Sequence, residues 1–182
     1  MFNPCVILMS GGPDSALLLQ RHHEMCAAAV WVDYGQPARE RERSAAFAIA
    51  KRFGVQLVEC SVAGMAPAMG AVGSPSVVPA RNVILISLAA SVAIREGARH
   101  VLIGCCQDDH SDYADCRPPF IQAASRAMAW LGVSVEAPLA YTRKASILEQ
   151  LDDEALALSV FCYRADGPCG ECNSCRSRME VT

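Results

Sequence analysis

The 182-residue chain reads as an α/β protein: an open parallel sheet with helices on both faces, followed by a small C-terminal element built around four cysteines. Three observations predict this. Apolar runs at Cys5–Met9, Ala27–Asp33 and Val55–Cys60 alternate with helical stretches, and that β-α-β-α-β order marks buried parallel strands covered by helices. A Gly-rich turn, Ser10-Gly11-Gly12-Pro13-Asp14-Ser15, joins the first strand to the first helix. The tail carries Cys162, Cys169, Cys172 and Cys175 in the spacing C-x6-C-x2-C-x2-C.

The elements follow in order. Cys5–Met9 is a buried strand, and the first helix runs over Ser15–Glu24. The run Ala27–Asp33 ends in a loop, Asp33-Tyr34-Gly35-Gln36. Pro37 suits a first helical position, and the helix spans about Ala38 to Phe53 with Phe47, Ile49, Ala50 and Phe53 on its packed side. Gly54 is its stop, and Val55–Cys60 is the third strand. The segment Val62–Ala80, rich in glycine and proline, reads as a loop with a helical turn around Met65–Met69. Asn82 opens the helix Val83–Glu96, which is apolar nearly all round and so is expected to be deeply buried or to make a homodimer contact. His100–Gly104 is a fourth strand, followed by the polar loop Cys105–Arg117. Pro118 starts a helix to about Leu131, Ser134–Glu136 is a short strand, and Thr142 caps a helix from Arg143 to about Leu151. The expected division is an α/β domain over residues 1–150 and a metal-binding tail over 151–182.

Composition narrows the function. A hydrophobic fraction of 52% and a charged fraction of 19% exclude a disordered chain. A net charge of −3 offers no large basic surface, so nucleic acid is not an expected partner. The first apolar run is short and lacks a basic leader, and Val83–Ile94 is shorter than a bilayer span. A cytoplasmic chain without membrane association is expected, and in such a chain clustered cysteines bind metal more often than they form disulfides.

The turn at Ser10–Ser15 has the chemistry of an anion cradle. Gly11 and Gly12 let a phosphate approach the backbone, Ser10 and Ser15 add hydroxyls, and the helix start adds partial positive charge. Asp14 fits if a divalent metal travels with the phosphates. No lysine follows the glycines, and the dinucleotide-binding glycine spacing is absent. Arg81 sits at a helix start, against the dipole, and makes sense there if it faces an anion. Lys144 reads by default as a solvated lysine. The loop Asp109–Arg117 supplies carboxylates, a hydroxyl, an aromatic face and a guanidinium, a set that suits a flat heteroaromatic acid. Both loops follow strands at their carboxyl ends, where open α/β sheets bind ligands. The four tail cysteines can close a tetrahedral shell around zinc, with Arg164, Arg176 and Arg178 offsetting its charge. An iron–sulfur cluster is the alternative.

The turn resembles the PP-loop, Ser-Gly-Gly-x-Asp-Ser, of the N-type ATP pyrophosphatases. Together with Asp33–Gln36, Val78–Asn82, Asp109–Arg117, Pro138–Ile147 and the cysteine tail, it makes the chain resemble the 7-cyano-7-deazaguanine (preQ0) synthase family of queuosine biosynthesis over nearly its whole length. The resemblance implies an adenine nucleotide alpha hydrolase-like fold and a carbon–nitrogen ligase. In that chemistry ATP adenylates 7-carboxy-7-deazaguanine, ammonia gives the amide, and a second ATP leads to the nitrile, with release of AMP and pyrophosphate. It assigns ATP to Leu8, Met9, Ser10, Gly11, Gly12, Pro13, Asp14, Ser15, Ala16, Leu17 and Leu18, with Mg²⁺ alongside. It assigns the deazaguanine to Asp109, Ser111, Tyr113, Asp115 and Arg117, catalysis to Asp14, Arg81, Lys144 and Arg117, and zinc to the four cysteines. Ala80 stands where the family has Gly, His110 where it has Tyr, Asp112 where it has Gly, and Ala114 where it has Pro. These departures leave open a relative that stops at the amide or takes another deazapurine acid. A tRNA-thiolating PP-loop enzyme and a catalytically inactive, zinc-stabilised binding module are the other readings.

Overall fold

The computed structural model describes residues 4–62, 65 and 78–179. Five strands form one sheet in the order β3-β2-β1-β4-β5, and every pairing is parallel. The strands are β1 (Cys5–Leu8), β2 (Cys26–Asp33), β3 (Leu57–Ser61), β4 (His100–Leu102) and β5 (Ser134–Glu136). The helices are α1 (Pro13–His22), α2 (Arg39–Arg52), α3 (Arg81–Arg95), α4 (Pro118–Ala129), α5 (Lys144–Gln150), α6 (Asp153–Leu158) and α7 (Asn173–Met179).

Side-chain alternation along β1 separates two cores. Cys5, Ile7 and Met9 join α1, α2, α5 and α6 through Leu17, Ile49, Ile147 and Ala155. Val6 and Leu8 point the other way, toward Ile86 and Ala89 of α3 and Ile121 of α4. A strand buried on both faces reads as an unbroken apolar run, which is why the sequence announces it. The chain steps outward from β1 to β2 to β3, then returns to place β4 on the other side of β1. Right-handed crossovers therefore send α1 and α2 to one face and α3 and α4 to the other. The reversal leaves a crevice at the carboxyl end of β1.

Several sequence expectations are corrected in detail. Thr142 does not cap α5: the N-cap is Arg143, without a side-chain bond. Asp108 does the work from another loop, its Oδ2 accepting the Lys144 backbone N–H at 2.7 Å. Asn82 lies inside the first turn of α3, where its Nδ2 donates to the Asp115 carbonyl at 3.1 Å. Helix α3 is buried on one side only, and Val83 and Ile94 are 47% and 51% exposed. The helical turn expected around Met65–Met69 falls, apart from Met65, outside the described residues. Helices α6 and α7 are too short to show a periodic pattern. Only the Asp152 cap, whose Oδ1 accepts the Ala155 N–H at 3.0 Å, marks the first of them.

Two backbone positions carry opposite predictions. Gly11 has φ +77°, and a Cβ there would lie 2.6 Å from the Glu42 carbonyl oxygen. Gly11→Ala is expected to destabilise the protein by more than about 1 kcal/mol in denaturant titration. Ala80, the N-cap of α3, has φ +58°. Ala80→Gly relieves that strain and is expected to raise stability by about 1 kcal/mol in the same measurement.

Candidate active site

The carboxyl ends of β1, β2 and β4 open into one cleft of about 190 Å³. The Ser10–Ser15 turn forms its floor, and Pro13 occupies the first position of α1. The Gly12 N–H donates to Ser10 Oγ at 3.2 Å, Ser15 Oγ donates to the Gly12 carbonyl at 2.9 Å, and the two hydroxyls lie 3.2 Å apart. Gly104, just past β4, allows that segment to press on the turn: a Cβ there would lie 3.1 Å from both Asp14 Cβ and Ser15 N.

Leu8, Met9, Ser10, Gly12, Pro13, Asp14 and Ser15 line the cleft. Ala16, Leu17 and Leu18 do not: they are fully buried in the core beneath, because α1 turns its apolar side toward the sheet. Gly11 is packed against α2. Of the polar loop, Asp109 and Tyr113 reach the cleft. Ser111 is exposed and donates to the Asp108 carbonyl at 3.2 Å. Asp115 is engaged with α3, its Oδ2 accepting the Asn82 N–H at 3.2 Å. Arg117 is exposed, its Nε donating to the His110 carbonyl at 2.8 Å. These three residues stand outside the cleft lining among the described residues.

Arg81 and Lys144 both line the cleft. Lys144 is not a solvated lysine: its side chain is 12% exposed, and its ammonium pairs with Asp14 Oδ2. Burial works against its charge, but Asp14, Cys106 and Asp109 hold its pKa above the ordinary lysine value. Burial pushes the Asp14 carboxyl up, Asp109 and Asp108 add to that, and Lys144 opposes it. Asp14 Oδ1 is buried with no hydrogen-bond partner. Ligand atoms of Asp14, Cys106 and Asp109 all lie within 4.8 Å of one another. Burial and the Asp14 charge push the Cys106 thiol up to about 12. Across the cleft, Arg81 Nη1 meets Tyr34 Oη at 3.5 Å, while its Nε is buried without a partner.

Further groups that no sequence motif singles out also line the cleft, among them Glu42 and Tyr163. Glu42 points in from α2, its Oε2 accepting Gln36 Nε2 at 2.9 Å. It stands in a charged helical turn where nothing local sets it apart from Glu40. Tyr163, from the cysteine tail, forms another part of the wall.

The four tail cysteines place their sulfurs within 4.8 Å of one another. Cys169 and Cys175 are 4.0 Å apart, close to the ~3.8 Å edge of a tetrahedron with Zn–S bonds near 2.3 Å. Cys162 Sγ accepts N–H bonds from Arg164 and Cys169, Cys169 Sγ from Cys172, and Cys172 Sγ from Cys175, each at 3.4 Å. Backbone N–H groups of Cys172 and Glu171 pull the Cys169 thiol down to about 6, toward the thiolate a metal requires. The set fits one tetrahedral zinc ion. A cluster of several irons would hold its cysteines farther apart.

Glu42 carries a pH prediction. Burial raises its carboxyl pKa, against the Gln36 hydrogen bond and the charges of Arg81 and Arg41. The folded chain therefore holds that proton more tightly than the unfolded chain. The resulting stability is full below about pH 4 and is lost as pH rises through the raised value. Glu42→Gln is expected to melt above the parent at about pH 7.5, with the difference closing toward about pH 4, in thermal melts run across pH.

Comparisons with known proteins agree with this architecture. Residues 4–181 match the family described as "Queuosine biosynthesis protein QueC". The 7-cyano-7-deazaguanine synthase of Stenotrophomonas maltophilia (strain K279a) is 36% identical, over 96% of this chain and 92% of that protein. The synthase of Thiobacillus denitrificans is 35% identical, over 97% and 92%. Among solved structures, NMN synthetase from Francisella tularensis superposes with TM-score 0.60 at 14% identity, over 99% of this chain and 73% of that one. The U34-tRNA thiolase NcsA from Methanococcus maripaludis gives TM-score 0.58 at 21% identity, over 98% of this chain and 63% of that one. These two likenesses concern the fold alone. A full-length family match and relatives at this level of identity show that the chain belongs to the QueC family of queuosine biosynthesis proteins.

Proposed function

We propose that the chain converts 7-carboxy-7-deazaguanine and ammonia to 7-cyano-7-deazaguanine, consuming ATP and releasing AMP and pyrophosphate. The observation that carries this reading is that two charged groups of opposite sign in one cleft each have a buried atom without a partner: Asp14 Oδ1 and Arg81 Nε. Each is expensive to bury alone. A ligand that brings both a cation and an anion satisfies both, and Mg-ATP is such a ligand.

Asp14 and Asp109 are the residues that would hold Mg²⁺, which would neutralise polyphosphate charge and polarise the α-phosphate. The Ser10 and Ser15 hydroxyls and the N–H groups of the turn cradle the pyrophosphate portion. A carboxylate oxygen of the substrate attacks the α-phosphorus, and the bond to the pyrophosphate oxygen breaks. Lys144 and Arg81 meet the charge that develops on the leaving oxygens. Ammonia then adds to the acyl carbon, one proton is lost to solvent, AMP departs and the amide remains. In the second round the amide oxygen attacks the α-phosphorus of another ATP and pyrophosphate leaves again. The nitrogen lone pair closes the nitrile as the carbon–oxygen bond breaks and a second AMP departs, and the two N–H protons are lost to base or solvent. Tyr113 orients the deazaguanine. Zinc would be held by the four cysteines, and with all four positions filled by the chain it serves structure.

Incubation with Mg-ATP, ammonium and 7-carboxy-7-deazaguanine is expected to yield the nitrile mass with AMP and pyrophosphate. Release of ADP overturns the reading, and an amide that accumulates and is never consumed reassigns the product. Asp14→Ala is expected to abolish turnover in a folded protein. Lys144→Met is expected to lower kcat by about a hundredfold or more.

A further inference from the structure

The cysteine tail contributes side chains to the cleft as well as a metal shell. Tyr163 lies between the first two cysteines and Ser174 between the last two, and both line the cleft. Ser174 Oγ donates to Tyr163 Oη at 3.1 Å. Tyr113 arrives from the loop after β4 and lines the same space. A small annex beside the cleft is bordered by these three residues, Lys144, and the carboxylates Asp108, Asp109 and Asp112.

Tyr163 is held on both sides along the chain. The Val160 N–H donates to the Gly11 carbonyl at 2.8 Å, which ties this segment of the tail to the Ser10–Ser15 turn. The Arg164 N–H bonds to Cys162 Sγ at 3.4 Å, and the Arg164 carbonyl accepts from Arg41 Nη1 at 3.0 Å. A tyrosine so fixed presents a flat apolar surface with little conformational freedom left to lose.

We propose that Tyr163 is a specificity-determining residue for the acid substrate. Tyr163 and Tyr113, whose side chains are hydrogen-bonded to each other, form one continuous aromatic wall of the deazaguanine subsite, and Ser174 helps set the Tyr163 ring through its hydroxyl. Asp108 and Asp112 at the annex face the N–H-rich pyrimidinone edge of the bicycle, while the reacting carboxylate points back toward Lys144 and the Ser10–Ser15 turn. The four-cysteine element is then part of the substrate pocket, and its metal orders a binding surface. This rests on the activity proposed above, because it takes the acid of that reaction as its ligand.

The test compares Tyr163→Ala, Tyr163→Phe and Ser174→Ala with the parent. Four readouts are used: KM for 7-carboxy-7-deazaguanine, KM for ATP, zinc content by elemental analysis, and calorimetric titration of the acid without ATP. Tyr163→Ala is expected to raise the KM and Kd for the acid about tenfold to a hundredfold, the loss of one base-stacking face. Tyr163→Phe keeps the face and is expected to lose only a fewfold, and Ser174→Ala to match it. KM for ATP and zinc content should stay at parental values in all three. The proposal is overturned if Tyr163→Ala binds the acid as the parent does, or if KM for ATP rises as much as KM for the acid. If Tyr163→Ala loses zinc, Tyr163→Phe and Ser174→Ala decide the matter: parental Kd values for the acid in both overturn it. A parent that binds the acid but releases no AMP removes the activity and leaves the subsite standing, since titration reads binding alone.

Discussion

The structure depends on how tightly three separate segments close on the Ser10–Ser15 turn. Gly11 lies against the start of α2, where a single methyl group would strike the Glu42 carbonyl oxygen. Gly104 brings the end of β4 against Asp14 and Ser15. The Val160 N–H closes the third side on the Gly11 carbonyl. The turn is thus held by backbone contacts, and Ser10, Gly12 and Ser15 line the cleft. Polar groups held in place before charge develops are the physical basis of electrostatic catalysis.

The charges around the turn are arranged at the expense of stability. Arg81 and Lys144 are each the first residue of a helix, where the dipole disfavours a cation. Both are drawn out of water into the cleft. Asp14 and Glu42 are carboxylates whose burial favours the protonated form. The Asp14–Lys144 pair offsets part of this. Sites that bind tightly often store such local conflict.

The tail and the α/β sheet line one cleft. Cys162 and Cys175 are buried, and Tyr163 and Ser174 between the cysteines face the same cleft as the turn. Arg178 stacks over Phe161 at 4.9 Å and ties α7 to the segment that carries Cys162. The family match spans the sheet, the Ser10–Ser15 turn and the cysteine cluster alike. The geometry shows why they sit together.

The sequence by itself determined the parallel sheet, since strands buried on both faces are apolar at every position, as in Val6–Leu8 and Ala28–Val32. It also determined the turn and the cysteine cluster, whose chemistry is written in contiguous residues. Tertiary structure alone decided what depends on distance through space. Asp108 caps a helix 36 positions later, and Lys144 reaches Asp14 across 130. Glu42 lies in the cleft while its neighbour Glu40 stays exposed. Nothing local distinguishes these residues, because burial and partner choice arise only when separate elements pack.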